Sequence, residues 1–295
     1  MIILDTVAHE TIWGGQKLLP YAKEKPGKIG HLYSLCCEKG LENTILNGEY
    51  KGRVFQNYFE ENRQHFGLEG YDEFPLIIAL VEARDDLSIQ VHPDDEMAKR
   101  EEGAAYGKNE SWYFIEAPES GSLYNGCLAE SAEEVRDRLQ SGDMMSIVGR
   151  LQVKPGDYVY VKAGTMHAMT TGSFVYEIEE NSPWTYRLYD YDRVDASGNH
   201  RELHIEKGLR ALKPGLISES IPMDDKWVTE RRYKLLKLTD TAEYRNESDT
   251  LQCFTVIFGR GIAEELDITT GTTVVLEPGD RIEGSFDLAM VAEPV

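Results

Sequence analysis

Ser88-Ile89-Gln90-Val91-His92-Pro93 places polar side chains at every second position. In an extended strand Ser88, Gln90 and His92 therefore share one face. Adjacent polar groups are costly inside an apolar core, so this face either meets solvent or lines a polar site. An amide oxygen beside an imidazole is the start of a metal-binding set. Glu110 heads an apolar stretch in Gly107-Lys108-Asn109-Glu110-Ser111-Trp112-Tyr113. Its carboxylate is either a solvated loop charge or a further donor projecting into a barrel mouth.

The segment Gly156-Asp157-Tyr158-Val159-Tyr160-Val161-Lys162-Ala163-Gly164-Thr165-Met166-His167 carries the second imidazole. Its glycine and histidine spacing resembles the second cupin motif, in which a strand ends in a glycine turn that aims a histidine into the barrel. Lys162 stands where that motif usually has proline. The alternative is a lone histidine, satisfied by its neighbours after a turn. Two imidazoles, a carboxylate and an amide oxygen make a mixed nitrogen and oxygen set. Such a set suits zinc and leaves room for water or substrate. Donor type does not separate zinc from manganese, iron or cobalt.

Tyr176-Glu177 is followed by Asn181-Ser182-Pro183-Trp184-Thr185-Tyr186-Arg187-Leu188-Tyr189-Asp190-Tyr191-Asp192-Arg193. An arginine among aromatics, on the strand after the histidine, can stabilise a developing oxyanion. Its bland alternative is a structural salt bridge from Arg187 to Asp190 or Asp192.

The elements that must hold these groups are many short strands with a few helices. Residues 51–67 carry Val54, Phe55, Tyr58, Phe59 and Phe66 at helical spacing. Ser131 and Glu134 form a capping box that opens a second helix, and a third is predicted over residues 204–212, before Pro214. The run 74–81 is continuously apolar, as in a strand buried on both faces. Alternation predicts strands over 87–92, 111–117, 157–163, 173–179 and 185–190. They do not alternate with helices, so an antiparallel sandwich or barrel is expected. The polar stretch 221–225 marks a boundary, giving units 1–225 and 226–295. Strand-like segments at 253–259, 272–280 and 286–293 predict a small β-sandwich for the second, which has no histidine and so no expected metal.

The 295 residues carry a formal net charge of −21, which disfavours nucleic acid and anionic membranes as partners. Any phosphate must be captured by a local basic cluster. Cys36, Cys37, Cys127 and Cys253 show no CxxC spacing. No signal peptide or membrane span is expected, so a reduced, cytoplasmic protein is the reading.

These ordered motifs, from Trp13-Gly14-Gly15 through LSIQVHPDDE, GKNESWYF and KAGTMHA to TYRLYDYDR and RELHIEKGL, make the chain similar to type I phosphomannose isomerases of the short bacterial form. The resemblance implies a mainly β protein: a cupin-type β-barrel (jelly roll) catalytic domain plus a smaller C-terminal β-domain. It implies one zinc or other divalent ion on Gln90, His92, Glu110 and His167. It implies a catalytic Arg187, with Glu177 and Lys108 lining the site and Ser88 near the sugar phosphate. The implied reaction interconverts mannose 6-phosphate and fructose 6-phosphate through an enediol, in a monomer or homodimer. Glu177 or Lys108 is then the proton carrier; an amine base would need a strongly lowered pKa, which favours the carboxylate.

The chain departs from the family at three places. Ala79 stands where a strand lysine often contributes to phosphate binding, Gly30-His31-Leu32-Tyr33 replaces Gly-Glu-x-Trp, and Lys162 replaces proline. Lys108 and Lys162 are therefore expected to take over the phosphate. The competing readings are a cupin isomerase or epimerase for another sugar, and a non-catalytic sugar-binding cupin.

Overall fold

The apolar run predicted to be doubly buried forms strand Leu76–Glu82, and all of its residues are buried. This computed structural model describes residues 1–24 and 27–295. Leu76–Glu82 belongs to a sheet ordered Ser220–Pro222, Asp157–Val161, Glu110–Glu116, Phe174–Glu180, Leu76–Glu82, His31–Leu35 and Val7–His9. A second sheet runs Tyr186–Tyr189, Ile89–Val91, His167–Ala168, Ser122–Cys127 and Val148–Gln152. Pairing within both is antiparallel.

Strand parity decides what lies between these sheets. Ile77, Val81, Trp112, Phe114, Val159, Val161 and Val175 of the first meet Leu123 of the second in one core. Ile89, Val91, Ala168 and Tyr186, opposite in parity to Gln90, His92, His167 and Arg187, join that core from the second sheet's other face, where residues 205–211 pack. The protein is thus mainly β with a cupin-type jelly roll. The alternate residues Leu76, Ile78, Leu80, Tyr176 and Ile178 face the other way. They pack with Tyr233, Leu235, Cys253 and Met290 in a core shared with the third sheet.

That third sheet joins Ile2–Ile3, Thr273–Leu276, Gln252–Ala263, Arg281–Pro294, Tyr233–Arg245 and Val228–Thr229, with Leu266–Thr269 on Gln252–Ala263. Its first strand comes from the chain start, where Ile2 pairs with Val275. Phe254, Val256, Ile268, Ile282 and Phe286 form an apolar cluster on its far side.

The three expected helices are Phe55–Asn62, Ala132–Gln140 and Ile205–Ala211. Ser131 Oγ caps Glu134 N at 3.2 Å, while the Glu134 carboxylate accepts from Glu130 N rather than from the cap residue. A fourth, Asp95–Glu102, starts at the Asp94 cap and ends on Gly103 in the left-handed region. All four cysteines are free and buried. No helix among the described residues is long and apolar enough to cross a membrane.

Candidate metal centre and active site

Cross-strand register brings the expected donors together. In the second sheet Arg187 and His167 both pair with Gln90, from opposite sides. Three neighbouring strands thus present arginine, amide and imidazole in one row. From the facing sheet Glu110 sits opposite Glu179, and Glu177 lies between Trp112 and Ala79.

At the centre Glu110 Oε2 lies 3.1 Å from His92 Nε2, and Oε1 lies 3.1 Å from His167 Nε2. The Gln90 amide approaches His167 Nε2 at 3.3 Å. All but Gln90 are fully buried. His92 Nδ1 lies 3.0 Å from the Trp184 carbonyl oxygen, and His167 Nδ1 lies 2.9 Å from that of Thr165. A carbonyl only accepts, so each Nδ1 carries the hydrogen and each neutral ring turns its Nε2 lone pair to the centre. Burial holds the His92 ring at about 4, so it is neutral near pH 7. Lone pairs of two imidazoles then face the oxygens of one carboxylate, and His92 Nε2 and Glu110 Oε1 have no hydrogen-bond partner. Such a set is repulsive until a cation enters it. The donors therefore fit a divalent metal.

A second charge cluster adjoins the first. Lys108 Nζ lies 2.8 Å from Glu179 Oε1 and 3.5 Å from Glu110 Oε2. Burial alone would lower the amine, but Glu179, Glu110 and Glu177 outweigh it and raise it above its ordinary range. Burial, with the Glu179 and Glu110 charges, pushes Glu177 well above the usual carboxylate range. Burial would raise Glu110 too, yet His92, Lys108 and His167 hold it well below. The site thus sets a fixed cation, Lys108, beside a carboxylate of raised proton affinity, Glu177. Trp112 Nε1 donates to Glu177 Oε1 at 2.7 Å and fixes one edge of that carboxyl.

Arg187 makes no ion pair to Asp190 or Asp192. Asp190 is taken by Arg193 and Arg201, and Asp192 faces His200. Arg187 Nε donates to Ser88 Oγ at 3.2 Å and Nη1 to the Glu202 carbonyl at 2.8 Å. The guanidinium has no carboxylate partner among the described residues and lines a cavity of about 720 Å³. Ser88, Gln90, Lys108, Glu110 and Glu177 line the same cavity.

Lys162 is the exception. It is exposed and lines a separate cleft with Tyr160, Lys213 and Arg231. Val159 and Val161 take the inward parity, which sends Tyr160 and Lys162 to the outer face. Besides Arg187 and Lys108, the basic groups that line the cavity are Arg201 and Lys207. The sequence reading did not single out Glu179, although its two-residue spacing from Glu177 places both on one strand face.

A family model described as phosphomannose isomerase type I, catalytic domain, matches residues 1–117. Mannose-6-phosphate isomerase ManA of Bacillus subtilis is 39% identical over 220 residues, covering 74% of this chain and 70% of that protein. The crystal structure of the mannose 6-phosphate isomerase from Bacillus subtilis aligns with TM-score 0.84 and 32% identity, covering 99% of this chain and 98% of that one. A further solved structure, described as mannose 6-phosphate isomerase (holo; zinc bound), has the same fold at TM-score 0.67 and 14% identity, over 100% of this chain and 99% of that one.

Proposed function

The chain belongs to the type I phosphomannose isomerase family, and from that premise we infer that it interconverts mannose 6-phosphate and fructose 6-phosphate. The observation that carries the reading is the set of buried His92, Glu110 and His167 with half-buried Gln90, both imidazoles locked to present Nε2. One divalent ion would be held there. Zinc is the choice that the donor set allows and that the zinc-bound family structure exemplifies. When bound, it supplies Lewis acidity to the sugar oxygens.

The chain's own residues do the rest. Glu177 carries the proton between C2 and C1, because burial and its acidic neighbours make it more basic than an ordinary carboxylate while Lys108 stays charged. Arg187 and Lys108 offset the enediolate charge from the two sheets. Ser88 orients Arg187. Arg201 and Lys207 give the phosphate its basic end of the cavity in place of Lys162. Residues 1–225 are the unit that does this chemistry, since no lining residue lies beyond Lys207, and 226–295 form the smaller β unit.

The test is coupled turnover of mannose 6-phosphate, free mannose and other aldose 6-phosphates, together with metal analysis. Purified protein should contain about one equivalent of divalent metal and prefer mannose 6-phosphate. His167→Ala should lose both metal and turnover. Preference for a free sugar, or full metal content in His167→Ala, would overturn the reading.

A further inference from the structure

His31 lies on the cavity wall outside the metal set, in strand His31–Leu35. Its ring is stacked on Tyr33, with centroids 5.2 Å apart and planes within 4°, and it meets Trp13 edge-on at 5.1 Å. Two aromatic neighbours therefore fix the ring plane. His31 Nε2 points at Glu177 Oε2, 3.6 Å away. Glu177 Oε2 is buried without a hydrogen-bond partner, and so is His31 Nδ1. A proton on Nδ1 would find no acceptor, whereas one on Nε2 faces a carboxylate. The tautomer that fits carries its hydrogen on Nε2. Trp112 already holds the other Glu177 oxygen.

We propose that His31 is a positioning residue for the isomerisation: its Nε2–H closes onto Glu177 Oε2 when substrate binds and, with Trp112, fixes the carboxylate plane against the sugar C1–C2 bond. The inference rests on Glu177 as the proton carrier. In that step the Glu177 carboxylate takes the C2 proton of the open-chain aldose. The C–H electron pair becomes the C1–C2 double bond, and the carbonyl pair moves onto O1. A proton passes from O2 to O1, Glu177 returns its proton to C1, and the C2–O2 carbonyl forms. Nothing else is consumed. The present 3.6 Å gap is of the kind that tightens in a loaded site, and a carboxylate held at both oxygens loses less orientation on the way to the transition state.

The test compares His31→Phe, His31→Gln, His31→Asn and Glu177→Gln in the metal-loaded enzyme. His31→Phe keeps the packing but has no donor, and should lower kcat by roughly 10²-fold with KM within about threefold. Metal content and Tm should stay near wild type. His31→Gln places an amide N–H where Nε2 was and should recover at least tenfold of the loss. His31→Asn reaches only the Nδ1 position and should not. Combining His31→Phe with Glu177→Gln should be no slower than Glu177→Gln alone. A His31→Phe enzyme with normal kcat, or equal rates for His31→Gln and His31→Asn, would overturn the role of His31. The Gln and Asn pair decides the matter even if the Phe variant fails to fold. An active Glu177→Gln enzyme would instead sink the proton-carrier reading itself.

Discussion

Arg187 is the half-buried cation whose charge the structure leaves uncommitted. Its hydrogen bonds go to a hydroxyl and a carbonyl, which orient the guanidinium without neutralising it. A group held in this way costs no reorganisation when charge develops on the sugar oxygens. Arg187→Ala should therefore lower kcat by roughly 10²–10³, with metal content unchanged, as measured by steady-state kinetics and metal analysis on one preparation. Normal turnover would return Arg187 to a structural role. At this scale sequence motif and strand parity located Gln90, His92, Glu110, His167, Glu177 and Arg187 in one place. Two things stayed illegible for a physical reason. Lys162 sits at a strand end, where a polar residue does not declare its side, and Glu179, though on the face of Glu177, looks like a solvated charge until Lys108 is seen to pair with it. His31 meets Glu177 only through cross-strand neighbours, since His31–Leu35 and Phe174–Glu180 both flank Leu76–Glu82.

At the scale of elements, the glycine before Lys108 holds the metal set closed. A Cβ on Gly107 would stand 2.3 Å from the Pro93 carbonyl oxygen and 2.4 Å from the Asp94 carbonyl carbon. Those are backbone atoms, which cannot rotate aside. The approach lets Lys108 N donate to Pro93 O at 3.0 Å and Gly107 N to Asp95 Oδ1 at 2.8 Å. It thereby seats strand Glu110–Glu116 against the turn that follows His92. Gly107→Ala should separate the two segments and cost about 1–3 kcal/mol of stability by overpacking. Metal affinity should fall with it, because Glu110 and His92 sit on the two sides of the forced gap. Thermal unfolding and a competition titration with a chelator check both effects; a stable variant with unchanged metal affinity would show that the contact is slack. The same segment shows what pattern reading misses. Helix Asp95–Glu102 buries only Met97 and Ala98, so it has almost no apolar stripe to betray it, though its Asp94 and Gly103 ends are ordinary signals. Strand Ser122–Cys127 is buried throughout, yet it contains Asn125 and Gly126, whose bonds are made to the distant Ser218 and Met166.

Across the whole molecule, pairing between chain ends was beyond reach of local pattern. Ile2 opposite Val275 is a contact that only the closed fold creates. Charge, by contrast, is legible from composition, and it bears on how substrate arrives. The net charge of −21 surrounds a cavity in which Glu10, Glu38, Glu102, Glu177, Glu179 and Glu202 accompany Lys108, Arg187, Arg201 and Lys207. Several of the cations are already paired, Lys207 with Glu102 and Arg201 with Asp190. A sugar phosphate dianion approaching from solvent meets a repulsive far field before it reaches the basic end of the site. At an ionic strength near 0.01 M that field extends about 30 Å, and near 0.1 M about 10 Å. Added salt should therefore screen repulsion faster than it weakens the short-range contacts. For mannose 6-phosphate, kcat/KM should rise by roughly twofold to fivefold between those ionic strengths, while kcat at saturation stays flat. The measurement needs an inert monovalent salt and constant metal loading. A kcat/KM that falls with salt would show that Arg187, Arg201 and Lys207 project a positive field beyond the cavity mouth and steer the substrate in, against the charge of the rest of the protein.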